Sequence, residues 1–145
     1  MSDSVLDASV VAMANGDLAG RRRGNLLDRR LGVIKQVVTG VRRLRYNPKL
    51  LSEYQRLIRD YRNDVIELLF ILLDSDRAIF VRRNNLSRQN YAIAITRCRW
   101  PSHDQHLLAA ALGGVDPVIV VTESSLSRCA PRILAHFGIH VEHLG

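Results

Sequence analysis

Residues 118–122 read Val-Ile-Val-Val-Thr, a run of β-branched side chains without a charge. Such a run is typical of a strand that is buried on both faces, as in the centre of a parallel sheet. Polar residues follow at once, because Glu123 and Ser124 come directly after the run. The stretch therefore predicts a central strand that ends at a polar edge.

Further strands and helices are predicted on both sides of this run. Apolar residues 5–11 predict a first strand, followed by turn signals at Asn15, Gly16 and Gly20. Short strands are predicted at 78–81 and 139–143, and helical spacing, caps and stop signals predict helices over 25–38, from Asn47-Pro48 onward, 63–73 with Asn63 as its cap, 104–112 and 132–137. Residues 91–100 are ambiguous, because their alternating apolar and polar residues suit a strand whereas their length favours a helix, which we expect here. For the helix over 104–112, Ser102 and Gln105 have the spacing of a capping box. Because strands and helices alternate, we expect an α/β fold, a three-layer α/β/α sandwich with a mainly parallel central sheet.

Length and composition limit the class of protein. The chain has 145 residues, of which 47% are hydrophobic, so residues 1–145 suit a single domain with its own core. Two cysteines, Cys98 and Cys129, are too few for a disulfide framework, which favours a reducing, cytoplasmic setting. The longest apolar stretch, 65–73, contains Glu67 and is far shorter than the roughly 20 residues that span a bilayer. We therefore expect no contact with the membrane interior.

The positive charge is concentrated in one segment. The chain carries a net charge of +7, but residues 21–45 alone carry +8 and leave the remainder at −1. Such a segment attracts polyanions, of which nucleic acid and anionic lipid are the common examples. The alternative is a solvated helix face without a partner.

Three carboxylates occur among apolar residues. Asp7 lies between Val5-Leu6 and Val10-Val11, where an unpaired charge would cost several kcal/mol. Asp104 shares a predicted helix face with Leu108 and Ala111, and Glu53 borders an apolar stripe. Each acid alone is typical of a structural ion pair. Three together indicate a shared cation, and their oxygen ligands favour Mg²⁺ or Mn²⁺.

At these residues the chain resembles the PIN-domain family of metal-dependent nucleases, and in size and layout the VapC-type toxins of bacterial toxin–antitoxin pairs. Val-Leu-Asp7-Ala-Ser9 is similar to the family's first motif. Asn47-Pro48-Lys-Leu-Leu-Ser-Glu53-Tyr54 is similar to the second, and Ser102-His-Asp104-Gln-His-Leu-Leu-Ala109-Ala110-Ala111 to the third. Val-Ile-Val-Val-Thr122-Glu123-Ser124 resembles the fourth, in which the family commonly has Thr, any residue and Asp.

The resemblance implies a metal-dependent endoribonuclease that hydrolyses RNA phosphodiester bonds and acts as a toxin with an antitoxin partner. It also implies a homodimer. It implies that Asp7, Glu53 and Asp104 are catalytic and hold Mg²⁺ or Mn²⁺. Ser9 and Thr122 would steady the cluster. RNA would be bound by the basic segment, and the candidate residues are Arg21, Arg22, Arg23, Arg29 and Arg30.

The chain departs from the family at the fourth acid. Ser124 occupies the usual Asp position, and Glu123 lies one residue earlier. Three possibilities stay open: Glu123 reaches the metal on its longer side chain, Ser124 binds it through water, or the site has three acids.

Other functions are compatible with the sequence. A PIN-like module that binds RNA or protein without cleaving it is the principal alternative, and a membrane-surface or protein-interaction domain is a weaker one. Two H-x-x-H pairs, His103 with His106 and His140 with His143, raise the question of zinc. A spacing of three suits a helix, whereas the second pair lies in a predicted strand, so structural or solvated histidines are favoured.

Overall fold

The computed structural model describes residues 2–19, 25–60 and 64–144. Side chains are described for the same residues except 15–19, 25–30, 58–60, 64–66 and 68. The strands are β1 Ser2–Leu6, β2 Arg42–Tyr46, β3 Ala78–Phe80, β4 Val118–Val121 and β5 His140–His143. The helices are α1 Ala8–Ala19, α2 Asn25–Val38, α3 Pro48–Asp60, α4 Asp64–Leu73, α5 Arg88–Ala92 with a following π-helical turn Ile93–Arg97, a 3-10 turn Ser102–Asp104, α6 Gln105–Ala111, α7 Ser124–Ser127 and α8 Ala130–Phe137.

The five strands form one all-parallel sheet in the order β3-β2-β1-β4-β5. The chain moves outward in one direction from β1 to β3 and in the other direction from β4 to β5. Because parallel crossovers are right-handed, these two directions place their helices on opposite faces of the sheet. The predicted three-layer α/β/α sandwich is confirmed. The strand order reverses between β1 and β4, where a crevice forms at the carboxyl ends of the strands.

The core lies on the two central strands and the helices that cover them. Val5 and Leu6 of β1 and residues 119–121 of β4 are fully buried. On α6, the successive alanines 109–111 are also buried, and this helix contacts β1, β2 and β4. Small side chains let the helix backbone approach the sheet closely. The central strand predicted from residues 118–122 is confirmed.

Several predicted helices are also confirmed. Residues 25–38 form α2, which is followed by Gly40 at φ +83°. Helix α4 spans the apolar stretch, although Asn63, expected to cap it, lies outside the described residues. Helix α8 ends at Gly138 in the left-handed conformation, as its sequence indicates. Among the described residues, no helix combines the length and the apolar character needed to cross a bilayer.

The prediction of a strand over residues 5–11 is wrong in its second half. Strand β1 ends at Leu6, and α1 begins at Ala8 and continues through Asn15 and Gly16. The apolar run satisfies both periodicities, because Val10, Val11 and Ala14 share one buried helical face. The change from strand to helix therefore occurs at Asp7.

The predicted capping box at Ser102 and Gln105 is also wrong. Helix α6 begins at Gln105, with Asp104 in the position before its first turn and no side-chain capping bond there. The Gln105 Oε1 instead accepts a hydrogen bond from the Leu86 backbone N–H at 3.2 Å. The glutamine thus ties α6 to the preceding loop.

Strand β2 was not predicted from the sequence, because three arginines occupy its five positions. All three have structural roles. Arg42 donates from Nε to Gln36 Oε1 at 2.7 Å and from Nη1 to Glu142 Oε2 at 3.0 Å. Arg43 Nε lies 2.8 Å from an oxygen of buried Asp3, and Arg45 donates to the carbonyls of Ala110 and Leu112. The basic segment is therefore partly structural.

Asn47 joins three segments at the carboxyl end of β2. Its side chain is fully buried, and Nδ2 donates to the carbonyls of Arg83 and His106 at 3.0 and 2.9 Å. Its Oδ1 accepts from the Leu50 backbone N–H, which confirms the predicted cap of α3. The same side chain thus fixes the starts of α3 and α6 relative to each other.

We expect Asn47→Ala to destabilise the protein by about 2–4 kcal/mol, because the cap is lost and a buried carbonyl loses its donor. Urea unfolding measures the change. Asn85→Ala, at an exposed position, is the control and should change the free energy of unfolding by less than about 0.5 kcal/mol. Equal stability of Asn47→Ala and the parent would contradict this role.

Candidate functional site

The predicted acidic residues come together near the carboxyl ends of β1 and β4. Asp7 directly follows β1, and its backbone N–H donates to the Val120 carbonyl of β4 at 3.0 Å. Its side chain is largely buried, because the residue is only 9% exposed. Thr122 and Glu123 follow β4 at the same edge. The topology therefore brings together two motifs that lie more than 100 residues apart.

Two hydroxyl groups fix the Asp7 carboxylate. Ser9 Oγ donates to Asp7 Oδ2 at 2.7 Å, and Thr122 Oγ1 donates to Ser9 Oγ at 2.8 Å. This chain of hydrogen bonds links the end of β4 to the start of α1. The supporting roles that the resemblance implies for Ser9 and Thr122 stay predictions.

Glu53 reaches the same edge from α3. The neighbouring Tyr54 is fully buried, and its hydroxyl donates to the carbonyl of Leu6, the last residue of β1. This bond holds α3 against the end of β1, one residue before Asp7. The Glu53 side chain is 24% exposed, and its Oε1 lies 3.2 Å from Nε2 of His106.

Asp104 is held by its backbone, and its side-chain oxygen Oδ2 has no hydrogen-bond donor among the described residues. Buried Trp100 donates from Nε1 to the Asp104 carbonyl at 2.8 Å. The side chain does not cap α6, although it has the position and chemistry of a cap. Among the described residues, no group makes a hydrogen bond to its buried Oδ2 atom. The Nε2 atom of His103 lies 3.2 Å from this oxygen, within ion-pair distance but outside hydrogen-bond geometry.

The carboxylates affect one another electrostatically. Burial is the main cause that raises the pKa of Asp7; the Ser9 hydrogen bond opposes it, and the charges of Asp104, Glu53 and Glu123 add to it. Burial also raises the pKa of Asp104, with His103 opposing and Glu123 contributing. The four acids therefore form one electrostatic cluster, which we call the acidic cluster: Asp7, Glu53, Asp104 and Glu123.

The fourth acid of this cluster is Glu123. Its backbone is extended and precedes the short helix α7, which begins at Ser124. The Glu123 side chain is exposed, and its charge acts on both Asp7 and Asp104. Ser124 is also exposed. A contribution of Glu123 to a metal site stays a prediction, as do the two other possibilities that the sequence leaves open.

The donor set suits a hard divalent cation in its chemistry. It consists of carboxylate oxygens, and one of them, Asp104 Oδ2, is buried and unpartnered. Within the described ranges, however, no three His, Cys, Asp or Glu side chains are grouped closely enough to hold an ion as they lie. Glu53 and Asp104 each have an oxygen next to a histidine ring nitrogen.

The predicted RNA-binding arginines are not placed at this site. Arg21, Arg22 and Arg23 lie outside the described residues, and for Arg29 and Arg30 only the backbone, in α2, is described. Other cations follow the carboxyl ends of β2 and β3, and these are exposed: Lys49, Arg82, Arg83 and Arg88. Lys49 Nζ donates to the His103 carbonyl at 3.1 Å, beside Asp104.

His103 and His106 lie beside the acidic cluster, a contact that was not predicted from the sequence. His103 is exposed beside Asp104, whereas His106 is buried beside Glu53. Their positions on either side of Asp104 in the chain were a usable signal. The other pair lies on β5, where His143 Nε2 is 3.0 Å from the Thr122 carbonyl at the end of β4.

Comparisons with known proteins give no relative at the significance required: no family model, no curated protein and no solved structure matches the chain.

We expect Asp7→Asn to be more stable than the parent at neutral pH in the presence of a chelator. Because the folded state raises the pKa of Asp7, the free energy of unfolding falls as pH rises through that pKa. The amide has no charge to bury. The advantage of the variant should therefore shrink toward about pH 4, the ordinary range of an aspartate, as measured by thermal unfolding.

Asp74→Asn is the matched control for this measurement, because Asp74 is exposed at the end of α4. Its stability should follow that of the parent at both pH values. A lower stability of Asp7→Asn than of the parent at neutral pH would show that a cation of the protein already compensates Asp7.

Proposed function

We propose that the chain is a divalent-metal-dependent endoribonuclease that hydrolyses RNA phosphodiester bonds and acts as the toxin of a toxin–antitoxin pair. The observation that carries the proposal is the acidic cluster at the carboxyl ends of β1 and β4. Its members come from four separate segments, and the charges of three of them raise the pKa of Asp7. Their sequence motifs resemble those of PIN-domain nucleases in order and spacing.

Each residue has a defined task in this proposal. Asp7, Glu53 and Asp104 hold Mg²⁺ or Mn²⁺. Glu123 either completes the ligand set or adds to the negative electrostatic potential that attracts the ion. A bound divalent ion would lower the pKa of a coordinated water and would neutralise the negative charge that develops on the phosphate oxygens. Ser9 and Thr122 keep Asp7 in one orientation through their hydrogen bonds.

The substrate must bring its phosphates to an acidic edge, so nearby cations are needed. Lys49, Arg82 and Arg83 are exposed at the carboxyl ends of the neighbouring strands. Contacts of this kind hold the backbone without reading the sequence. Arg21, Arg22, Arg23, Arg29 and Arg30 remain proposed for the same task, and the antitoxin and the homodimer remain proposals that come from the resemblance.

A second candidate is a PIN-like module that binds RNA without cleaving it. Two observations favour it: the acids of the described residues do not form a ligand group as they lie, and Ser124 replaces the usual fourth acid. Such a module would retain RNA binding in chelator and would not shorten its ligand.

We expect the parent to cleave a mixed RNA pool in the presence of Mn²⁺ and to lose this activity in chelator. Asp7→Asn and Asp104→Asn should each lower the rate by more than about 100-fold, because removal of a ligand costs more than removal of a residue that supports one. Gel analysis of the RNA over time measures the rate. Asp74→Asn should cleave at the rate of the parent.

Equal rates for all four proteins would overturn the proposed mechanism, because the cleavage would then come from elsewhere. Binding of RNA by the parent without cleavage under any divalent ion would favour the non-catalytic module instead.

A further inference from the structure

A histidine ring lies next to the acidic cluster with unused hydrogen-bonding capacity. His106 is only 2% exposed, and neither Nδ1 nor Nε2 has a hydrogen-bond partner within the described structure. Nε2 lies 3.2 Å from Glu53 Oε1, outside hydrogen-bond geometry. A buried, unpartnered polar group destabilises the folded state, whereas a leucine would occupy such a position without this cost. Fold stability alone therefore does not explain a histidine here.

The ring is held in place by its surroundings. The His106 backbone carbonyl accepts a hydrogen bond from Asn47 Nδ2 at 2.9 Å, and the next residues, Leu107 and Leu108, are fully buried. Glu53 differs, because its side chain is long and 24% exposed. The histidine is therefore the fixed partner of the pair, and the glutamate is the adjustable one.

Repulsion acts on Glu53 from the rest of the cluster. Its charge raises the pKa of both Asp7 and Asp104, so all three carboxylates disfavour one another. A glutamate at a partly exposed position can escape this repulsion by turning into solvent. Only an attractive group on the protein side can oppose that movement, and His106 Nε2 is placed there. A proton on Nε2 makes the contact attractive, because a bare nitrogen would repel the carboxylate oxygen.

We propose that His106 is a positioning residue whose Nε2–H attracts Oε1 of Glu53 and keeps this carboxylate within the acidic cluster, ready to bind a divalent ion. The inference rests on the proposed metal-dependent function and adds a residue to it. Residues that orient a metal ligand without contacting the metal themselves typically contribute 10–100-fold to metal affinity.

The test is a titration of the full-length protein with Mn²⁺, in which the electron paramagnetic resonance signal reports free Mn²⁺. We expect His106→Leu to bind Mn²⁺ about 10–100-fold more weakly than the parent, with unchanged or increased thermal stability. His106→Gln places an amide N–H near the position of Nε2 and should bind within a few-fold of the parent. His136→Leu, at an exposed position on α8, is the control and should bind as the parent does.

A double-mutant cycle tests whether His106 acts through Glu53. In a Glu53→Gln background, His106→Leu should cause no further loss of Mn²⁺ affinity. An equal loss in both backgrounds would overturn the inference, and so would His106→Leu that binds Mn²⁺ as tightly as the parent. Should His106→Leu fail to fold, His106→Asn replaces it; its shorter amide should lose affinity relative to His106→Gln, and equal affinities would overturn the inference.

Failure of the proposed function has a different signature. A parent protein that binds no Mn²⁺ would overturn the metal site itself, and the role of His106 with it. A parent that binds Mn²⁺ with an affinity independent of residue 106 would overturn only the present inference.

Discussion

Mutual repulsion of carboxylates at the end of the central strands is the constraint on which the rest of this molecule depends. Asp7 is buried where β1 ends, and three other acids raise its pKa. Burial and like charge both disfavour its ionised form. Among the described residues, hydroxyl groups and histidines are the groups that meet these acids, and neither Ser9 nor Thr122 carries a charge. A divalent cation would relieve the repulsion of several acids at once.

The scaffold explains why the acids cannot simply separate. Asp7 is fixed by the pairing of β1 with β4, and Tyr54 fastens α3 to the last residue of β1. Trp100 and Asn47 hold the start of α6, so Asp104 and His106 share one rigid support. These anchors are buried aromatic and amide groups with satisfied hydrogen bonds. Keeping like charges together lowers the stability of the folded state, which is typical of ligand-binding and catalytic sites.

Much of the fold was predictable from the sequence, because apolar runs and stop signals act locally. The uncharged run at 118–122, the Asn47-Pro48 cap and Gly138 each indicate an element that the structure contains. Strand β2 escaped prediction because its arginines find partners far away in the chain, at Asp3 and the end of α6. Residues 8–11 were assigned to a strand because an apolar run suits both periods.

The candidate site shows the same division. Asp7, Glu53 and Asp104 stand out in the sequence because a charge among apolar residues is visible locally. Their proximity, the Ser9–Thr122 hydrogen bond and the involvement of Glu123 depend on strand order. The position of His106 two residues after Asp104 was a usable signal, but its contact with Glu53 joins two different helices and two residues that are 53 apart in the sequence. Tertiary pairing, which no local pattern encodes, decides these contacts.

The most direct test of the central claim is a crystal structure of the protein grown with Mn²⁺ and measured at a wavelength where manganese scatters anomalously. We expect an anomalous peak between the carboxylates of Asp7, Glu53 and Asp104, with the side chains of Glu53 and Asp104 directed at the ion. Absence of a peak there at saturating Mn²⁺, with each of the three carboxylates paired to its own guanidinium group, would contradict it.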